Sequence, residues 1–422
     1  MRILLIAYEF PPFIAAQSLR WFYLSDELAR RGIEVHVLCP ALPALPDYPV
    51  RLYDHVIPHR VWPGPYMGFS QRLASSALRK PVGSDTTHPV LWAVYRLTRQ
   101  VLDQVLYPDL RTEWYPFAQS KLRSLLTRYH FDALISSYEP GVDILLGLWA
   151  KKHFSQRWVI DLGDPILTPY TPVWRRSLDR RFERFVLRRA DRIVVTTDSV
   201  RDLLCERHCS IDRSRFVSIP QGFPVRRRPG DRPPSVHLMP ANRMNIVFTG
   251  TFYRDFRSPE RFALALRALA APEATLTIAG DNARFHPLFD QIPNVRFVGR
   301  IDHFQCLELQ RQADLLLNIG NIQTYQLPGK LYEYFGAGKP ILHLQTGAPD
   351  TGAELIQSLD AGLVIENDVT CIRESLAKLI EAWRCGGLNA LFSPHHDAIR
   401  QHSWENRATA YHQLLSSLSA MV

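Results

Sequence analysis

The chain holds 422 residues, 46% of them hydrophobic and 22% charged, a composition that excludes a disordered polymer and suits two domains of about 200 residues. No apolar run reaches the roughly 20 residues of a membrane-spanning helix, and the opening MRILLIAYEFPP turns acidic at Glu9 too soon for a secretory signal, so a cytoplasmic protein is expected. The net charge of +9 is unevenly held: residues 1–236 carry 34 Lys and Arg against 23 Asp and Glu, while the remainder carries 16 against 18. Such asymmetry points the first half towards an anionic partner. A peripheral contact with the anionic inner face of a membrane is preferred to nucleic acid, because no zinc finger, basic zipper or aromatic RNA-binding signature accompanies the charge.

Met1 to Ala7 reads as a short buried strand, followed by a proline-containing loop, a helix over 18–31 stopped by Gly32, and a strand over 33–38. This strand, helix, strand opening predicts a parallel sheet. Residues 40–90, rich in proline, glycine and aromatic side chains, read as an excursion beside the sheet with a short amphipathic helix at 70–79. A helix over 90–107 and the segment 108–129 lead to strands at 133–137, 158–162, 193–196 and 216–219. After the second of these come two loop carboxylates, Asp161 and Asp164, and a basic helix over 173–189 with seven arginines and with Trp174, Leu178, Phe182 and Phe185 near helical spacing. That pattern suits a membrane surface and equally a sheet-covering helix with a solvated face. The six cysteines form no disulfide framework. Cys205, His208 and Cys209 have helical spacing but no second ligand pair, so reduced thiols and no metal site are expected.

The proline- and arginine-rich stretch 224–242 reads as a linker between a domain over 1–223 and another over 243–402. The second sheet is predicted to start afresh, with strands at 246–249, 275–279, 295–298, 315–318, 341–344 and 363–365. Helices are predicted at 259–270, 304–312 and 370–383, and a closing helix from 403 returns to the first domain.

The stretch QTYQLPGKLYEYFGAGKPILHL, Gln323 to Leu344, organises this half. Pro328 suits the first position of a helix, Gly336 and Gly338 its end, and Pro340 forbids continuation before the next strand. Lys330 and Glu333, three apart, share one face. Free amides and an ammonium in the first turn suit phosphates, and a carboxylate one turn deeper suits the hydroxyls of a ribose. One lysine–phosphate contact is worth at most about 4 kcal/mol at an effective dielectric of about 20. The plain alternative, a solvated Lys–Glu pair, is worth about 0.2–0.5 kcal/mol.

Taken in order, the motifs MRILLIAYEFPP, DELARRGIEVHVL, RFERFVLRRADRIVVTTDSV, IPQGF, IVFTGTFY, LTIAGD, VRFVG, PGKLYEYFGAGKPIL and SWENRA cover nearly the whole chain. Together they resemble the retaining glycosyltransferases of family 4 (group 1) that build bacterial surface polysaccharides. The resemblance implies an α/β protein of two Rossmann-like, doubly wound parallel-sheet domains facing a cleft, the GT-B fold. It implies a metal-independent hexosyltransferase whose donor substrate is a nucleotide-diphosphate sugar, with no further cofactor, and whose acceptor is a glycan or lipid-linked saccharide.

Carried onto this sequence, the resemblance implies that Gly250 and Thr251 admit the donor phosphates, that Arg257 and Lys330 pair across them, and that Glu333 holds the ribose. Gly280 and Gly299 line the base and ribose pocket. Asp164 is the first candidate for positioning the acceptor, with Asp161 behind it and Glu9 third, while Gln17 and Arg20 face the cleft. Three places depart from the pattern: Tyr325 stands where many relatives have a second glutamate, Ala15 and Ala16 replace a glycine pair, and Gly163 replaces a histidine. Two rivals share the plan, a non-hydrolysing sugar-nucleotide epimerase and a partner subunit that has lost catalysis.

Overall fold

The computed structural model describes residues 1–13, 15–43, 52–68, 106–169, 171–226, 239–240, 242–254, 257–321, 327–347 and 350–420. The predicted helix over 70–79, most of that over 90–107, most of the predicted linker and Tyr325 lie outside the described residues. The chain divides into two units, Met1–Pro220 with Ala408–Val422, and Gln221–Arg407.

The first unit runs β1 (Arg2–Ile6), α1 (Ala16–Arg30), β2 (Glu34–Pro40), β3 (Val56–Val61), α2 (Tyr115–Arg128), β4 (Ala133–Tyr138), α3 (Gly141–Phe154), β5 (Trp158–Leu162), α4 (Val173–Arg189), β6 (Arg192–Val195), α5 (Asp198–Arg207) and β7 (Phe216–Ser218). Its strands form one sheet in the order β3-β2-β1-β4-β5-β6-β7, every pair parallel. β4 and β5 are buried at every position, as parallel strands covered on both faces must be. β3 was not expected within the excursion read over 40–90, and its Pro58 is tolerated because β3 is an edge strand. α3 was not expected either: GVDILLGLWAKKHF is apolar on nearly every side and shows no amphipathic stripe.

The second unit runs β8 (Met244–Thr249), α6 (Glu260–Leu269), β9 (Ala274–Ala279), β10 (Val295–Gly299), α7 (His303–Gln312), β11 (Leu315–Ile319), α8 (Gly329–Ala337), β12 (Ile341–Gln345), α9 (Thr351–Ser358), β13 (Gly362–Glu366), α10 (Val369–Arg384) and α11 (His396–Arg400). The order is β10-β9-β8-β11-β12-β13, again wholly parallel. Alternation along β8 splits the core, for Ile246 and Phe248 pack with Phe262 of α6 and Leu376 of α10, while Val247 packs with Leu309 of α7 and Leu331 of α8. The closing helix α12 (Trp404–Ala420) spans the division between the units at residues 407 and 408. α8 begins at Gly329, with Pro328 in extended backbone just before it, one position later than expected, and stops at Gly338 in the left-handed region.

In each sheet the strand order reverses beside the first strand, between β1 and β4 and between β8 and β11. Open parallel sheets leave a crevice beyond the carboxyl ends of their strands at such a point.

Candidate functional site

At the switch point of the second unit, three strand ends are laced into a shelf. Gly250, Gly280 and Gly299 follow or end β8, β9 and β10 with φ of +145°, +136° and +69°. The Gly250 N–H donates to the Ala279 carbonyl at 2.9 Å and the Gly280 N–H to that of Gly299 at 2.8 Å. A Cβ at position 280 would stand 2.0 Å from the Gly250 carbonyl oxygen, so only glycine closes this edge. Asn282, unread in the sequence, completes the shelf by accepting from the Phe252 N–H and donating to the Gly250 carbonyl, each at 2.8 Å. Thr251 lies on this shelf, partly exposed.

α8 buries Leu331, Tyr334 and Phe335, which fixes where Lys330 and Glu333 project. Among the described residues no side chain caps its first turn, where the Leu331 N–H donates to the Pro328 carbonyl at 3.0 Å and the amides before it are left to water or a ligand. The Lys330 ammonium donates to Glu333 Oε2 at 2.8 Å and lies 3.6 Å from Cys306 Sγ. Gln310 Nε2 donates to the same carboxylate oxygen at 3.0 Å and to Thr249 Oγ1 at 2.8 Å. The Tyr334 hydroxyl accepts from the Thr249 N–H at 2.9 Å and donates to the Leu317 carbonyl at 3.2 Å. Glu333 Oε1 stands 3.9 Å from His303 Nδ1, beyond hydrogen-bond reach. His303, Cys306 and Gln310 occupy one face of α7 at i, i+3 and i+7, an inward polar face that was legible in the sequence and overlooked. Arg257 directs Nε and Nη2 onto Asn321 Oδ1 at 3.1 and 2.7 Å and has no carboxylate partner among the described residues.

The first unit corrects two expectations. Arg20 and Asp161 are wholly buried and spent on one another, with Arg20 Nε 3.0 Å from Oδ1 and Nη2 2.9 Å from Oδ2. The guanidinium also donates to the carbonyls of Ile219 at 2.8 Å and Pro220 at 3.0 Å, and the Tyr411 hydroxyl donates to Asp161. The pair braces α1, β5 and α12 and is closed to an acceptor. Gln17 is different: Nε2 donates to the Tyr138 carbonyl at 2.8 Å, which forces Oε1 to the other side, buried and without a partner among the described residues. A Cβ at position 163 would lie 1.8 Å from Gln17 Nε2, so the Gln17 amide fills the space that a side chain at Gly163 would need. Glu9 is paired with Arg111 at 3.2 Å, and Asp164 lies close enough to Glu139 to raise its carboxyl, after burial, which raises it most.

Residues 18–222 match the family model of the glycosyl transferase 4-like domain. That stretch is a glycosyl transferase 4-like domain. The fold of the whole chain is that of a sucrose-phosphate synthase from Thermosynechococcus elongatus, with a TM-score of 0.69 over 100% of both chains at 16% identity. It is also that of Anabaena HepE in complex with UDP and glucose, with a TM-score of 0.62 over 99% of this chain and 100% of the other at 15% identity. WaaG, a glycosyltransferase involved in lipopolysaccharide biosynthesis, gives a TM-score of 0.54 over 99% and 97% at 18% identity. These likenesses show the GT-B fold. No curated protein sequence matches the chain.

The titratable groups of the two units are strongly perturbed at these strand ends. Burial works to raise the Glu333 carboxyl, but Lys330, His303 and the Gln310 amide outweigh it and hold the group below its ordinary range. Burial likewise opposes the Lys330 charge, and Cys306 and Glu333 more than restore it, leaving the ammonium raised. Burial lowers the Arg257 guanidinium, with no carboxylate to counter it. In the first unit burial pushes the Glu9 carboxyl up to about 7, against the pull of Arg111. Among the described residues no group of three His, Cys, Asp or Glu side chains has the arrangement to hold a metal ion. His208 is committed to Glu183 at 2.7 Å, and the six cysteines are free thiols.

Proposed function

We propose that this glycosyltransferase draws a hexose from a nucleoside-diphosphate sugar bound at the carboxyl edge of the second sheet. The sugar passes, with retention, to a hydroxyl of a glycan or lipid-linked saccharide held by the first unit, in the synthesis of a surface polysaccharide. The observation that carries this reading is Arg257, a guanidinium partly withdrawn from water that is held by an amide oxygen and lacks a carboxylate partner among the described residues. A desolvated cation without its anion is costly, and a phosphate repays the cost with charge-assisted bonds. Lys330 and the uncapped amides of α8 add to the same neutralisation, which lets the diphosphate leave as the anomeric carbon becomes cationic without a metal.

In this reading Glu333 Oε1 accepts a ribose hydroxyl, the shelf of Gly250, Thr251, Gly280 and Gly299 admits phosphates and base, and Tyr325 meets the transferred sugar. Gln17 Oε1 accepts from an acceptor hydroxyl, with Asp164 and Glu9 positioning it, and the proton passes to one of these carboxylates or to the departing phosphate. α4 supports a contact with an anionic membrane: Trp174, Leu178 and Phe185 lie on one face and are 65%, 46% and 43% exposed among the arginines. Localisation at the inner face of the membrane follows from that contact. Flotation with vesicles of phosphatidylglycerol, and its loss in Trp174→Ser/Leu178→Ser, tests it.

Calorimetric titration of a panel of nucleoside diphosphates tests the donor site. One is expected to bind, with Arg257→Gln weakening it by about tenfold or more. Failure of every diphosphate to bind would sink the reading and leave the inactive-subunit rival. Turnover of the matching nucleotide sugar with no acceptor present would favour the epimerase.

A further inference from the structure

A cavity of about 330 Å³ opens in the second unit at the amino edge of its sheet, where Pro340 and Ala361 lead into β12 and β13. The edge described above lies at the other end of these parallel strands. The volume falls at the small end of ligand cavities, which run from about 300 to 1,000 Å³. Its walls bring together the rings of Tyr334, Phe335 and Phe392 with Ile399. The Tyr334 hydroxyl is already committed to Thr249 and Leu317, so this residue offers the cavity its ring alone. Gly338, with open space where a Cβ would stand, leaves the mouth clear. Among the described residues Lys339 and His396 are the other ionisable side chains on the lining.

Aromatic rings beside Ile399 suit a flat apolar body. A rim that carries a lysine and an imidazole suits one anionic group on that body. We infer that this cavity is a second binding site, for a small aromatic carboxylate, built independently of the nucleotide edge. The inference does not rest on the proposed reaction, because it concerns binding alone.

The test uses the full chain, 2-naphthoate as probe and 2-naphthamide as its uncharged counterpart, titrated by calorimetry. One naphthoate per chain is expected, and a preference over the amide of about tenfold, the worth of one charge-assisted bond. Lys339→Glu, a partly exposed position, is expected to erase that preference. Asn389→Trp, at an exposed lining position, is expected to fill the mouth and exclude both probes while the melting temperature is kept. Equal binding of acid and amide, binding that survives Asn389→Trp, or no binding at millimolar probe would each overturn the proposal. Nucleoside diphosphate titrated into the same samples reports the other edge separately, so the two failures are distinguishable.

Discussion

Replacing Lys330 by methionine keeps the side-chain stem and removes the ammonium. The variant leaves the Glu333 carboxylate, 10% exposed, without the 2.8 Å partner that offsets its burial. Breaking a wholly buried pair in this way costs about 3–5 kcal/mol. Lys330 keeps 31% of its side chain in water, which reduces the expected loss to about 1–3 kcal/mol. In a unit of this size each kcal/mol lowers the melting temperature by about 2–4 °C. The loss also has a sign with pH. In the parent chain the Glu333 carboxyl lies below its ordinary value, so its contribution is full above the ordinary carboxylate range and is lost as pH falls through the folded value. In Lys330→Met burial is opposed only by His303 and Gln310, the carboxyl rises, and acid relieves the variant. The gap in melting temperature between parent and variant is therefore expected to widen from about pH 5 to about pH 8. In the same variant a nucleoside diphosphate is expected to lose about tenfold or more in affinity, and sugar transfer to fall by about 10²–10³, while the bare nucleoside binds as before. A variant that melts with the parent at every pH and binds the diphosphate unchanged would refute both the pairing and the donor site.

Gly280→Ala is expected to cost about 2 kcal/mol or more, read as a lowered melting temperature, because its Cβ meets the Gly250 carbonyl oxygen at 2.0 Å and its φ is +136°. Gly163→Ala drives the Gln17 amide off the Tyr138 carbonyl at an expected cost of about 1 kcal/mol, and adding Gln17→Ala is expected to recover part of it in urea unfolding. Asp161→Asn leaves the guanidinium of Arg20 buried without its anion and is expected to cost about 3–5 kcal/mol, seen as loss of soluble folded protein. Burial holds the Glu9 carboxyl at about 7, so the native chain binds a proton that the unfolded chain has released, and stability falls as pH rises through that window. Glu9→Gln, neutral throughout, is accordingly expected to melt above the parent at about pH 8 and with it at about pH 5.

The strands of both sheets were legible because each is a short, apolar, β-branched run with turn residues on either side, a signal complete within a few positions. What failed was local evidence that misled. β3 lies within the proline-rich stretch 40–90, whose composition masked it, and the apolar surroundings of α3 hid its helical period. Lys330 and Glu333 could be read together because three residues separate them. Gln310, which supplies the next contact to Glu333, is 23 positions away, and only packing of α7 against α8 makes them neighbours. Arg20 and Asp161 were read as site residues because each lies near a strand end, and their 141-residue separation concealed that they satisfy one another.

The Arg20–Asp161 and Lys330–Glu333 pairs differ in a way that charge alone does not express. Around Arg20 both partners are wholly buried, four of the five N–H groups meet acceptors, among them two main-chain carbonyls, and Asp161 also receives the Tyr411 hydroxyl, so the pair is closed to a ligand. Around Lys330 the count does not close. An ammonium has three donors, and among the described residues one meets Glu333 and one a thiol, while Glu333 Oε1 stands 3.9 Å from His303. Arg257 rests both of its bonds on a single amide oxygen, and Gln17 Oε1 has no donor among the described residues. Folding alone does not favour such remainders, since each unmet polar group withdrawn from water costs about 1–3 kcal/mol. They collect near the carboxyl ends of the strands in each sheet, where the proposed function places the substrates.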